Sequence, residues 1–279
     1  MIGISLAILS AISLGMVPVF SKKLLEILDS WNSIIYGNFF MVIIAFFYAL
    51  IAGFSFSFNS GVLVVILING VIGFLGLYCL YESFKYLKLG ESLSIANIYP
   101  FFTLLLLGFI GSSIISMTEI FFMLLLLVGV YLVLNHHLTL SVNKGILLAL
   151  VATTAWGFYS FAIAYLLREG FNFSSTILML ELFILICCFL YVFLTNKLKP
   201  ITKEITKKAS LLGLFNGVGT LLLASSIVYL NAGIASSIST ASVLITALFG
   251  YLVFKEKLTK IQIIGIFIII FSLIMFYLV

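Results

Sequence analysis

One carboxylate stands in the middle of an apolar run. Glu181 sits in LMLELFILICC, residues 178–188, with a full helical turn of apolar residues on either side. A carboxyl buried in hydrocarbon is costly unless it faces protein, a water-filled cavity or a partner, and such residues mark substrate and proton pathways. Two chemistries suit it: holding a cationic group, or binding and releasing a coupling proton. The plain alternative is a protonated acid that hydrogen-bonds two helices together. Ser174, Glu181 and Cys188 recur every seven residues and form a weakly polar stripe on one helix face.

Other residues could share that chemistry. Trp156 and Tyr159 offer an aromatic wall for a cation or a ring. Trp156 lies about eleven residues into its apolar segment, deeper than an interfacial belt, whereas Trp31 at a segment end fits such a belt. Asn38, Asn97, Tyr99, Asn216 and Thr220 are polar positions within apolar segments and complete the expected wall. Tyr78, Tyr81 and Glu82 are placed at its mouth. For Glu82 an interfacial ion pair with Lys85 is the plain alternative. Glu26, Glu91 and Glu119 read as ordinary interfacial charges. Pro18 and Pro100 interrupt their segments and, with Gly15 and Gly157, are candidate hinges. Simple kinks and close helix packing are the alternatives.

These residues need elements that carry them through lipid. The chain has 279 residues, 64% hydrophobic and 8% charged, with a mean hydropathy of +1.35. A soluble domain could not bury that much apolar surface. Ten apolar stretches fall near 2–21, 33–52, 62–82, 92–111, 118–135, 145–167, 175–194, 210–230, 234–253 and 261–278. Most approach the ~20 residues that cross a bilayer as helix. The expected fold is therefore an all-α membrane protein of ten transmembrane helices.

The chain is also written twice. A shift of 143 places Gly70 on Gly213, Gly76 on Gly219, Ser83 on Ser226, Tyr86 on Tyr229 and Thr103 on Thr246. Near the start the shift is one shorter, placing Gly3 on Gly145 and Gly15 on Gly157. Two units follow, 1–139 and 143–279, each with five helices. An odd repeat must enter the membrane in opposite sense the second time, so the repeats are inverted and meet around a central cavity. Polar residues place stretches 1–4 and 6–9 around it. The fifth and tenth stretches carry few and are expected at the periphery. The shift also sets Asn38 against Glu181 at equivalent depth.

The net charge of +5 does not indicate nucleic acid. Lysines crowd the odd-numbered connections, while the even ones carry only Arg168. By the positive-inside rule both termini lie outside a plasma membrane. The basic loop at 195–209 then contacts lipid head groups. The first stretch lacks the basic start and small-residue cleavage site of a signal peptide. Cys79, Cys187 and Cys188 lie in apolar segments and show no disulfide or zinc spacing. His136 and His137 sit at a segment end. The glycines at 70–76 and 213–219 have no βαβ context and read as packing residues, with no cofactor motif present. No nucleophile elbow or carboxylate dyad marks an enzyme.

One stretch resembles a known family. YLNAGIASSISTASVLITALFGYLVFKEKLTKIQIIGIFIIIFSLIM is similar to the carboxyl-terminal part of EamA-type repeats in the drug/metabolite transporter superfamily. A helix rich in small residues leads into Lys255-Glu256-Lys257-Leu258-Thr259, then Gln262 and Gly265. YLKLGESLSIANIYPFFTLLL in the first half, and the openings LSAISLG and VATTAWG, complete the likeness. The chain departs from the pattern at Ser112-Ser113, where the acidic turn would stand, and at Val243, opposite Pro100. The resemblance implies a carrier of small metabolites without a cofactor, moving cargo by alternating access. A soluble amino acid or amine is the favoured cargo and a proton the coupling ion, with a monomer sufficient. A flippase for a lipid or lipid-linked sugar is the second class.

Overall fold

A computed structural model of the chain describes residues 2–99, 102–103, 106, 117–134, 143–229, 238–239 and 241–278. Pro100, Ser112, Ser113, His136, His137, Ser236, Ser237 and Thr240 lie outside them. Among the described residues all regular structure is helical. In chain order the helices are α1 (Ile2–Leu25), α2 (Ser30–Ala52), α3 (Ser60–Ser83), α4 (Leu89–Ala96) and α5 (Met117–Leu134), then α6 (Lys144–Arg168), α7 (Phe173–Leu194), α8 (Lys203–Tyr229), α9 (Ser242–Phe254) and α10 (Lys260–Leu278). Five of them, α1, α2, α3, α6 and α7, are long and apolar enough to cross a membrane. At 1.5 Å per residue, helices of this length exceed the ~30 Å hydrocarbon core.

The helices begin where short polar side chains cap them. Asp29 accepts the Asn32 N–H at 3.0 Å at the start of α2, and Asn172 accepts the Ser175 N–H at 2.9 Å at the start of α7. These two caps are related by the shift of 143. Asn59 likewise accepts the Val62 N–H at 2.8 Å, and its counterpart Thr202 accepts the Ile205 N–H at 3.3 Å. Each satisfies a backbone donor that lipid would leave unpaired.

Asp29 also meets the Lys199 ammonium at 3.1 Å. Burial alone would push its carboxyl up, but the Asn32 and Lys199 contacts outweigh it and hold the group below the usual carboxylate range. A depressed carboxyl contributes stability above its unfolded value, near 3.9, and loses it as pH falls through the folded value. Acid titration should therefore cost the wild type an increment of stability below about pH 4 that Asp29→Asn lacks. Parallel melting curves from pH 6 to pH 3 measure it.

Packing follows the repeat. The most extensive contact joins α1 to α8, and its counterpart joins α6 to α3. The α2–α8 contact is matched by α7–α3, and α1–α9 by α6–α4. The self-related pairs α2–α7, α4–α9 and α5–α10 close the set. Most extensive contacts therefore run between the halves. α5 and α10 pack on each other and expose Phe121, Leu124, Phe267 and Phe271, as peripheral helices facing lipid should.

Their seam is tight. A Cβ on Gly265 would fall 2.6 Å from the Gly129 carbonyl oxygen, and one on Gly129 would fall 2.9 Å from the Gly265 oxygen. Backbone cannot yield as a flexible side chain can. Gly265→Val should thus separate α5 from α10 and cost about 1–3 kcal/mol. Loss of thermal stability in detergent reads it, and an unchanged melting point would show that the seam relaxes freely.

The lysine-rich end carries a polar clasp. Lys22 at the end of α1 pairs with Glu256 at 2.5 Å, and the other Glu256 oxygen accepts the Leu89 N–H of α4 at 2.9 Å. Beside it, Glu91 is fully buried. It accepts the Lys88 N–H at 3.0 Å and the Gln262 amide at 2.6 Å, and Gln262 also donates to the Val133 carbonyl at 3.1 Å. Glu91 is therefore not the ordinary interfacial charge expected from sequence. These carboxylates cap α4 and start it at Leu89, three residues before the apolar stretch read at 92.

Candidate functional site

The repeat shift relates Asn38 on α2 to Glu181 on α7, and the structure brings these two residues together. The Asn38 amide donates to the Glu181 backbone carbonyl at 3.2 Å. Both are buried, with 6% and 8% exposure. Their meeting marks where the pseudo-two-fold passes between α2 and α7. The Glu181 carboxyl is engaged separately, by the Tyr159 hydroxyl at 2.8 Å from α6. A neutral donor of this kind suits either protonation state, because the second carboxyl oxygen can accept or donate.

Two further walls adjoin this centre. Trp156, one turn from Tyr159 on α6, meets Tyr99 edge to face with ring centroids 6.2 Å apart. Met41, one turn from Asn38 on α2, packs in a cluster with Ile177 and Leu178 that Tyr159 also touches. Its sulfur receives the Asn216 amide from α8 at 2.9 Å. Thioether sulfur is a weak acceptor, so Asn216 keeps hydrogen-bonding capacity in reserve. Glu181, Asn38, Tyr159, Asn216 and the Trp156–Tyr99 pair thus come from α2, α6, α7, α8 and the chain after α4.

Other expected residues are used differently. The Asn97 amide turns back onto the Leu93 carbonyl at 2.8 Å, and the Thr220 hydroxyl onto the Asn216 carbonyl at 2.9 Å. Tyr81 is buried and receives the Ser21 hydroxyl at 3.0 Å, tying α3 to α1. Tyr78 stacks on Trp31 at 3.7 Å, and Tyr191 lies against the same indole at 4.4 Å. Glu82 accepts Ser30 and pairs with Lys85, both at 2.5 Å, as its plain alternative required. Trp31, Tyr78, Tyr81 and Tyr191 belong to one apolar cluster with Trp156 and Tyr159, so they adjoin the candidate site.

The candidate hinges are tight crossings. The Thr246 hydroxyl donates to the Gly15 carbonyl at 2.8 Å, and the Thr103 hydroxyl donates to the Gly157 carbonyl at 3.1 Å. A Cβ on Gly15 would fall 2.5 Å from the Ile245 Cβ, and one on Gly157 equally close to the Phe102 Cβ. The two clasps are copies under the repeat. Pro18 is buried within a continuous α1.

Sequence reasoning passed over Met41 and the Lys22–Glu256 clasp, and read Glu91 as an interfacial charge. A capping signal was present for Glu91, because a carboxylate three residues after a helix start reaches back to the first N–H. Met41 carried no polar signal.

The family model for the EamA-like transporter family matches twice, over residues 1–135 and 143–278. The chain belongs to the EamA-like transporter family. It is accordingly a multi-pass membrane protein of a transporter family, with the two-repeat architecture that the paired contacts display. No curated protein matches this EamA-like chain significantly by sequence. A protein of known crystal structure is similar to it over 98% of this chain and 96% of its own, with a TM-score of 0.67 and 14% identity. At that identity the likeness is one of fold.

Proposed function

We propose that this EamA-like protein carries a small amine or amino acid by alternating access, with Glu181 as the group that meets the cargo's ammonium or the coupling proton. The observation that supports this is the Tyr159–Glu181–Asn38 arrangement, a buried carboxyl at the junction of α2, α6 and α7. Charge complementarity favours a cation there. The Trp156–Tyr99 pair one turn away offers a face to the cation or its substituent. The two repeats rock about this junction, and the crossings at Gly15 and Gly157 are the pivots. The site works in a plasma membrane with both termini outside, and a monomer is sufficient. The reaction is transport, not covalent chemistry.

The test is purified protein in liposomes with labelled amines and an imposed pH gradient. Accumulation that collapses with the gradient supports the reading. A soluble amine that never crosses, with transfer of a lipid between leaflets instead, moves the protein to the flippase class.

A further inference from the structure

Two apolar clusters are copies of one another. In the second half's version, Ile205, Ala209 and Leu212 of α8 pack with Leu24 and Leu28, against Val17, Phe20, Tyr36 and Phe40. The shift converts the α8 residues to Val62, Ile66 and Asn69 of α3, and the others to Leu166, Phe171, Tyr159, Ala162, Met179 and Phe183. All of these except Asn69 form the corresponding cluster, together with Leu180. Where one copy holds Leu212, the other holds an asparagine.

Asn69 is fully buried. Neither its amide nitrogen nor its carbonyl oxygen pairs with any polar atom among the described residues. An orphaned amide in a membrane interior carries its full desolvation cost, and the equivalent Leu212 shows that the fold accepts an apolar residue at this position. Its place joins it to the candidate site. Leu212 packs on Gly37, the residue before Asn38. The shift sets Gly37 on Leu180, the residue before Glu181, and Leu180 lies in the cluster that Tyr159 flanks.

We infer that Asn69 is a substrate-recognition residue that takes a second polar group of the cargo, one able both to donate and to accept. A carboxamide presents both functions side by side. The class is therefore a compact amine with a hydroxyl, amide or carboxyl group near the ammonium, rather than a simple alkylamine. This rests on the amine reading of Glu181.

The experiment compares wild type, Asn69→Leu and Glu181→Gln by thermal shift with two probes, L-glutamine amide and n-pentylamine. Wild type should be stabilised by both, at lower concentration by the amide. Asn69→Leu should melt at the same or a higher temperature without probe, because an unpaired polar group has been removed. It should need about tenfold more of the amide and an unchanged concentration of pentylamine. Glu181→Gln should weaken both. Equal preference for the two probes in wild type, or a preference kept in Asn69→Leu, overturns the role of Asn69 alone. A lower melting point for probe-free Asn69→Leu also overturns it, since Asn69 would then be a packing residue. No response of wild type to either probe overturns the amine reading and this inference together.

Discussion

Glu181→Gln should abolish pH-driven transport while leaving exchange of cargo between the two sides. The substitution preserves shape, and the amide oxygen still accepts the Tyr159 hydroxyl that now approaches at 2.8 Å. It removes the titratable proton and the negative charge. A hydrogen bond to a charged group is worth about 1.5–3 kcal/mol, so amine binding should weaken roughly 10- to 100-fold. Tyr159→Phe should act in the same direction with a smaller effect, near the ~1 kcal/mol of one neutral hydrogen bond. Uptake and counterflow in liposomes at two pH values separate the outcomes. A Glu181→Gln protein with intact gradient-driven uptake would remove the carboxyl from coupling. Lost exchange with intact folding would make it a binding residue first.

The second large effect should come from the clasp at the lysine-rich end. Glu256 has 12% side-chain exposure and Lys22 24%, so the pair lies between a surface bridge and a buried one. Exposed pairs contribute ~0–1 kcal/mol, and breaking a buried pair costs about 3–5 kcal/mol. Glu256→Gln should therefore lose roughly 2 kcal/mol of stability. The charge swap, Lys22→Glu with Glu256→Lys, tests how the two contacts divide. It restores opposite charges but cannot restore the acceptor for the Leu89 N–H, which a lysine lacks. Rescue should be partial. Complete rescue would assign the effect to the ion pair alone, and no rescue would assign it to the α4 cap.

The repeat made much of this legible in advance. Ten apolar stretches became ten described helices, and Gly15 and Gly157, aligned by the repeat as are Thr103 and Thr246, meet those threonines in two matching clasps. It also set Asn38 opposite Glu181, where they touch. The direction in which side chains point was harder to read. Asn97 and Thr220 look like wall residues by composition, yet each bonds a carbonyl one turn back on its own chain. A polar residue in lipid can always find that nearby acceptor, and the sequence does not say which one will. Glu91 was hidden for a different reason. Its burial depends on Gln262, 171 positions away, reaching it from α10.

The pairing of α1 with α8 and of α3 with α6 carries a consequence for synthesis. Helix α1 leaves the ribosome well before its principal partner α8, which starts at Lys203. Until that partner arrives, lipid or a chaperone must cover the face that will receive it. Long-range pairing of this sort makes folding late and collective. A ribosome that stops after the first repeat leaves five helices whose main mates were never made.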